Sequence, residues 1–132
     1  MTIIRINPPE LGAPPGYSQI VEVTASRMIF IAGQTALDAD GNLVGRGDFA
    51  AQAQQVFENL ATALRASGCT AANLVKLTVF LTEMDNLTRY REARNRFFDQ
   101  VTPRAAPAVT LVEVSRLYGP DFLIEIEAIA AA

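Results

Sequence analysis

This sequence predicts an α+β domain in which two helices pack on one face of a β-sheet. Three observations carry that expectation. Several segments are rich in β-branched and aromatic residues, with alternating side chains. Two others repeat their apolar residues every three or four positions. The resulting β-β-β-α-β-α-β-β order is interrupted by no repeat or linker. At 132 residues, half of them hydrophobic, the chain suits one compact domain spanning 1–132 with a real core.

Strands are expected near Ile3–Ile6, Ile20–Thr24 and Met28–Gln34, followed by a tight turn at Asp38–Asn42. A helix then runs from Phe49 to Ser67, because Phe49, Ala53, Val56, Leu60 and Leu64 share one face. Asp48 can cap its start and Gly68 can end it. Leu74–Thr82, LVKLTVFLT, reads as a mostly buried strand. A second helix is expected from about Asn86 to Val101, with Asn86 as its cap. Two strands close the sequence, Val109–Ser115 and Phe122–Ala130, joined by a turn at Tyr118-Gly119-Pro120-Asp121.

Composition excludes more chemistry than it suggests. Without a single histidine, the usual Ser-His-Asp and Cys-His nucleophile systems, His-based metal sites and imidazole proton shuttling are all ruled out. No GxxxxGK[ST] loop and no GxGxxG appears, so no nucleotide cofactor is expected. The DADGN run at 38–42 lacks the acid that a calcium loop needs at its twelfth position, and no metal is expected. Cys69 stands alone, which forbids an intrachain disulfide and suits an inert, partly buried thiol. The opening MTIIRINPPE has no long apolar run, and no stretch is long enough to span a bilayer; the expectation is a cytosolic protein without a membrane partner. A net charge of −3 opposes a nucleic-acid partner. The arginines Arg89, Arg91, Arg94 and Arg96 are interleaved with Glu92 and Asp99 and suit a solvated helix face.

Two features point to chemistry. Glu125 and Glu127 lie two residues apart on a strand and share one face, whereas Ile124, Ile126 and Ala128 point to the other. Such a pair is either an exposed acidic face or a catalytic carboxylate with its neighbour. The second feature is Arg94, which falls in the middle of the apolar stripe Leu87, Tyr90, Phe97 and Val101 of the second helix, with Arg91 at the edge of that stripe. A guanidinium placed there needs a carboxylate or several carbonyl acceptors. A salt bridge, within the chain or across a subunit contact, is the commoner solution; an anion-binding group at a cleft is the other. Arg104 is expected to be an ordinary loop charge.

Several separated motifs resemble one family. PPGYSQ at 14–19, IFIAGQ at 29–34, LVKLTVFLTEMDN at 74–86, and PAVTLVEVSRL with IEIEAIA near the C-terminus are similar, in order and spacing, to the Rid family, the YjgF-type reactive-intermediate deaminases. The resemblance covers essentially the whole length and implies a single Rid-type domain with a chorismate-mutase-like α+β fold. It also implies a homotrimer whose sheets line a central β-barrel, with three clefts between adjacent subunits that hold a small-molecule ligand. In the deaminase branch those clefts hydrolyse short-lived enamines and imines to ammonia and a 2-keto acid, with no metal or organic cofactor.

Carried over residue by residue, the resemblance implies catalytic roles for Glu125, which would position water, and for the cleft residue Tyr17. Gly33 matches a strand-end glycine beside the cleft, but the serine usual before it is Ala32. Val109 stands where the family's Pro-Ala-Arg motif has arginine, and Leu111 replaces a common cysteine. The asparagine of the second helix is replaced by Arg91. Losing a bidentate guanidinium from a desolvated carboxylate site costs roughly 2–5 kcal/mol, so Arg91 or Arg94 is expected to supply the displaced charge. The expected function is therefore a divergent Rid hydrolase acting on a small reactive enamine, imine or related metabolite other than the standard 2-iminopropanoate. A non-catalytic trimer that binds a metabolite or a protein is the alternative. RNA cleavage ranks third, for want of a histidine base and a stacking platform.

Overall fold

Alternation in the strand segments decides which face of the sheet is covered. In the computed structural model, which describes residues 1–132, eight elements follow the expected order: β1 (Thr2–Ile6), β2 (Ile20–Thr24), β3 (Met28–Gln34), α1 (Phe49–Ala66), β4 (Leu74–Leu81), α2 (Leu87–Phe98), β5 (Ala108–Glu113) and β6 (Ile124–Ala131). Leu77, Val79 and Leu81 of β4 and Ile124, Ile126 and Ala128 of β6 are buried on one face. Over them lie Ala53, Val56, Leu60 and Leu64 of α1 with Tyr90, Ala93, Phe97 and Phe98 of α2. The two helices thus share one side of the sheet, as the α+β expectation requires.

Strand order is β3-β6-β4-β5, with β5 parallel to β4 and the other neighbours antiparallel. Two features of the pairing go beyond the sequence reading. The last two strands do not form a hairpin, because β4 lies between them. Their connection, residues 114–123, is too long for a tight turn, and β6 pairs with β3 on one edge and β4 on the other. A strand that follows a helix crossover docks parallel to its predecessor, which is what β5 does on β4. The first two strands also leave the main sheet and form a separate antiparallel ribbon.

Local signals at α1 are confirmed. Asp48 accepts a hydrogen bond from the Ala51 amide at 3.1 Å, and Gly68 closes the helix with φ of +72°. Asn86, the expected cap of α2, makes no capping hydrogen bond; its side chain instead accepts from Arg89 at 3.4 Å. Cys69 is buried and unpaired. No helix is long and apolar enough to cross a membrane.

Gln52 is a fully buried polar residue on α1 that ties three distant backbone groups. Its amide nitrogen donates to Gly45 O at 3.1 Å and Asp121 O at 2.9 Å, and its amide oxygen accepts from the Leu123 amide at 2.9 Å. Gln52→Leu leaves these groups without partners, each at a cost of about 1–3 kcal/mol before relaxation. We expect a net loss of about 2–4 kcal/mol in urea unfolding; an unchanged midpoint would refute the role.

Candidate active site

Glu125 owes its setting to a slip in strand pairing. Along β3 and β6 the register runs Ile31 to Ala128 and then shifts, so that Gln34 faces Ile126. This irregularity sets Gly33 directly against the Glu125 side chain. A Cβ on Gly33 would fall on Oε2 of Glu125 and lie 2.9 Å from its carboxyl carbon. Only glycine lets the carboxylate rest there. Glu125 is half-buried on the sheet face away from the helices, while Glu127 is exposed. Burial, and then the charge of Glu127, raises the Glu125 carboxyl above its ordinary value. Ala32, next along, is exposed and brings no hydroxyl. Beside Gly33 opens a cleft of about 630 Å³, bounded by Thr35, Asn59 and Tyr118, whose phenol is 2.7 Å from the Thr35 hydroxyl.

Tyr17 is held at the other side of the sheet. Ser18 donates its amide to Pro107 O at 3.0 Å and its hydroxyl to Ala106 O, and it bridges to Ala108. The PPGYSQ loop is thereby laid along the start of β5. Val109 and Leu111 follow on β5 in register with Leu77 and Val79, and both side chains pack against the core on the helix side.

Arg94 lies next to this loop and is 6 % exposed. Its Nε and Nη2 donate to Asn95 Oδ1 at 3.3 and 3.2 Å, and its guanidinium sits 5.9 Å from the centre of the Tyr90 ring. The chain's two salt bridges are Arg46–Asp121 and Arg104–Asp99, so the carboxylate expected for Arg94 is not found within the chain. Breaking a buried pair by removing one partner costs about 3–5 kcal/mol, so a lone charge in such a place is a substantial liability. Burial pushes the Arg94 pKa down; the phenols of Tyr90 and Tyr17 favour its charged form, while Arg104 and Arg91 oppose it. Arg91 itself is exposed.

The sequence-derived residues therefore fall into two groups. Ala32, Gly33 and Glu125 gather at the β3 side, and Tyr17, Arg91, Arg94, Val109 and Leu111 at the β5 side, at opposite ends of the strand order. One chain does not bring them together. Sequence reasoning missed Asn95 and Arg104. Asn95 accepts from Arg104 Nη2 at 2.7 Å as well as from Arg94, and Arg104 also donates to Gly16 O at 3.2 Å. The signal lay in the packing of the loop after α2 back onto that helix, which periodicity does not report.

A sheet with two helices on one face, an acid of β6 on the other and guanidinium groups near β5 defines a small α+β domain. The chain belongs to the Endoribonuclease L-PSP family, to which RutC and Rid proteins also belong; the family model matches residues 9–132. A RutC family protein of Synechocystis is 39 % identical over 98 % of this chain and 97 % of its own length. The human 2-iminobutanoate/2-iminopropanoate deaminase is 36 % identical over 90 % of this chain and 82 % of its own. Among solved structures, a protein of unknown function of the conserved Rid family from Yersinia pestis matches with a TM-score of 0.89, 36 % identity and full coverage of both chains. Escherichia coli TdcF with bound serine matches at 0.73 and 31 % identity, over 92 % of this chain and 91 % of that one.

Proposed function

We propose that this chain is a divergent, cofactor-independent Rid hydrolase of the cytoplasm. On this reading residues 1–132 act as one unit, assembled as a homotrimer whose clefts join the β3 side of one subunit to the β5 side of the next. The substrate is a small 2-imino or 2-enamino acid other than the standard 2-iminopropanoate. The observation that carries the reading is the Glu125 carboxylate seated on Gly33, half-buried and raised above its ordinary pKa.

Glu125 takes a proton from water as the water oxygen bonds to the carbon of the iminium form of the substrate, and the C=N electron pair moves to nitrogen, giving a neutral carbinolamine. The carbinolamine collapses: Glu125 returns its proton to the amine nitrogen, then takes the hydroxyl proton as the C=O bond forms and the C–N bond breaks, and the departing ammonia carries that proton away as ammonium. Tyr17 lines the cleft, Ala32 and Gly33 form its floor, Arg91 and Arg94 provide positive charge for the substrate carboxylate, and Val109 and Leu111 provide an apolar wall.

A second reading, a trimer that binds a metabolite without turnover, is favoured by the half-buried Val109 and Leu111 standing where a guanidinium and a thiol would serve the chemistry. Ammonia release from freshly generated 2-imino acids of increasing side-chain size separates the two. Release above background, proportional to protein, supports the hydrolase; saturable binding of the matching 2-oxo acids with no ammonia supports the binder. Val109→Arg, run in parallel, is expected to raise activity on 2-iminopropanoate relative to the larger substrates.

A further inference from the structure

The arginine cluster at the β5 side carries more than a displaced charge. Arg104 is fixed by four acceptors: Asp99 at 2.8 Å, Asn95 Oδ1 at 2.7 Å, Gly16 O at 3.2 Å and Ala105 O at 3.3 Å. Arg94 has a single acceptor, the same Asn95 oxygen, and its Nη1 donates to nothing in the chain. Two guanidiniums thus share one neutral amide oxygen, and the only carboxylate paired with either is Asp99. Two positive charges against one negative leaves one positive charge over, on a residue that is 6 % exposed.

Gly16 lies directly against that charge. It has φ of +85°, and a Cβ there would lie 2.6 Å from Arg94 Nη2 and 3.2 Å from its Cζ. Any other residue would cover the guanidinium with a side chain. The next residue is Tyr17, whose phenol is among the groups that favour the charged form of Arg94.

We infer that Arg94, with Asn95 and Arg104 as its positioning residues, is the carboxylate anchor of this chain, and that it takes a 2-imino or 2-oxo monocarboxylate whose apolar side chain lies against Val109 and Leu111. The anchor has moved from β5 to α2. An uncompensated guanidinium matches a carboxylate, and an amide at position 95, where a carboxylate would have neutralised the pair, leaves Arg94 for the ligand. The inference rests on the cleft described above but stands apart from the hydrolytic role of Glu125.

The probe is 2-oxo-4-methylpentanoate, a stable ketone of the proposed class, titrated calorimetrically into the full chain. Asn95→Asp places a carboxylate at an oxygen already within 2.7–3.3 Å of both guanidiniums. It should weaken the probe's Kd by at least about thirtyfold, without lowering Tm, because the new carboxylate competes with the ligand while satisfying the fold. Arg94→Gln should weaken binding similarly. Pyruvate should bind at least about tenfold more weakly than the probe, for lack of apolar contact. No binding of the probe to wild type at millimolar concentration overturns the inference, as does an unchanged Kd in both variants, which would mean that a carboxylate of an adjacent copy covers Arg94. Ammonia release by Glu125→Gln is measured separately: if turnover persists there while the Kd shifts occur, the hydrolase reading fails and the anchor stands.

Discussion

Glu125→Gln is expected to lower ammonia release by about two to four decades, the usual worth of a positioned general base. Glutamine keeps the shape of the side chain and its seat on Gly33 but cannot take a proton from water. Stability should move the other way. Because the folded-state carboxyl is raised above its ordinary value, the folded chain holds its proton to higher pH than the unfolded chain does. Between the ordinary and the raised pKa, stability therefore increases as pH falls, and above that window the charged side chain is a cost. The amide removes this cost, so the variant should melt at or above the wild-type temperature at neutral pH. The same shift sets the pH profile of the wild type: activity should fall on acidification through a limb lying above the ordinary glutamate range. Turnover unchanged in Glu125→Gln would end the hydrolase reading.

Gly33→Ala should cost activity almost as heavily, by about a hundredfold, with little effect on folding. The added methyl would fall on the Glu125 carboxylate and sit 2.9 Å from its carboxyl carbon and 3.1 Å from Cγ. What it meets is the far end of a flexible side chain, which can swing aside, so the backbone need not shift. A displacement of about an ångström at a reacting group is enough to lose two decades of rate. The diagnostic pattern is a fall in kcat at near-constant Tm, whereas equal losses in both would point to a merely structural glycine.

The helices and strands were legible because each obeys a local period. The stripe of α2 foretold that Arg94 would be buried, and Asp48 and Gly68 marked the ends of α1. What the sequence did not carry was long-range. Tyr118-Gly119-Pro120-Asp121 looks like a hairpin turn, yet β4 enters between the strands it joins, because pairing partners are chosen by the burial of whole faces rather than by the turn. Of the candidate site, single residues could be named but not their grouping, since alternation along one strand does not say which edge of the sheet that strand will occupy. Arg104 read as a loop charge because nothing near it in sequence reveals that its loop folds back onto Asn95.

The place of β6 in the sheet also governs how the chain reaches its native state. It is the last element, and it lies between β3 and β4, pairing Met28 with Ala131 across about a hundred residues. Neither β3 nor the β4–β5 pair can join a common sheet until that strand arrives. Loop closure over such a distance must precede any reward, which places refolding among the slower topologies, in milliseconds to seconds. Since Glu125 is carried on that same strand, no partly folded form lacking β6 has the acid in place, and regain of activity after dilution from urea should track completion of the sheet rather than the earlier appearance of helix.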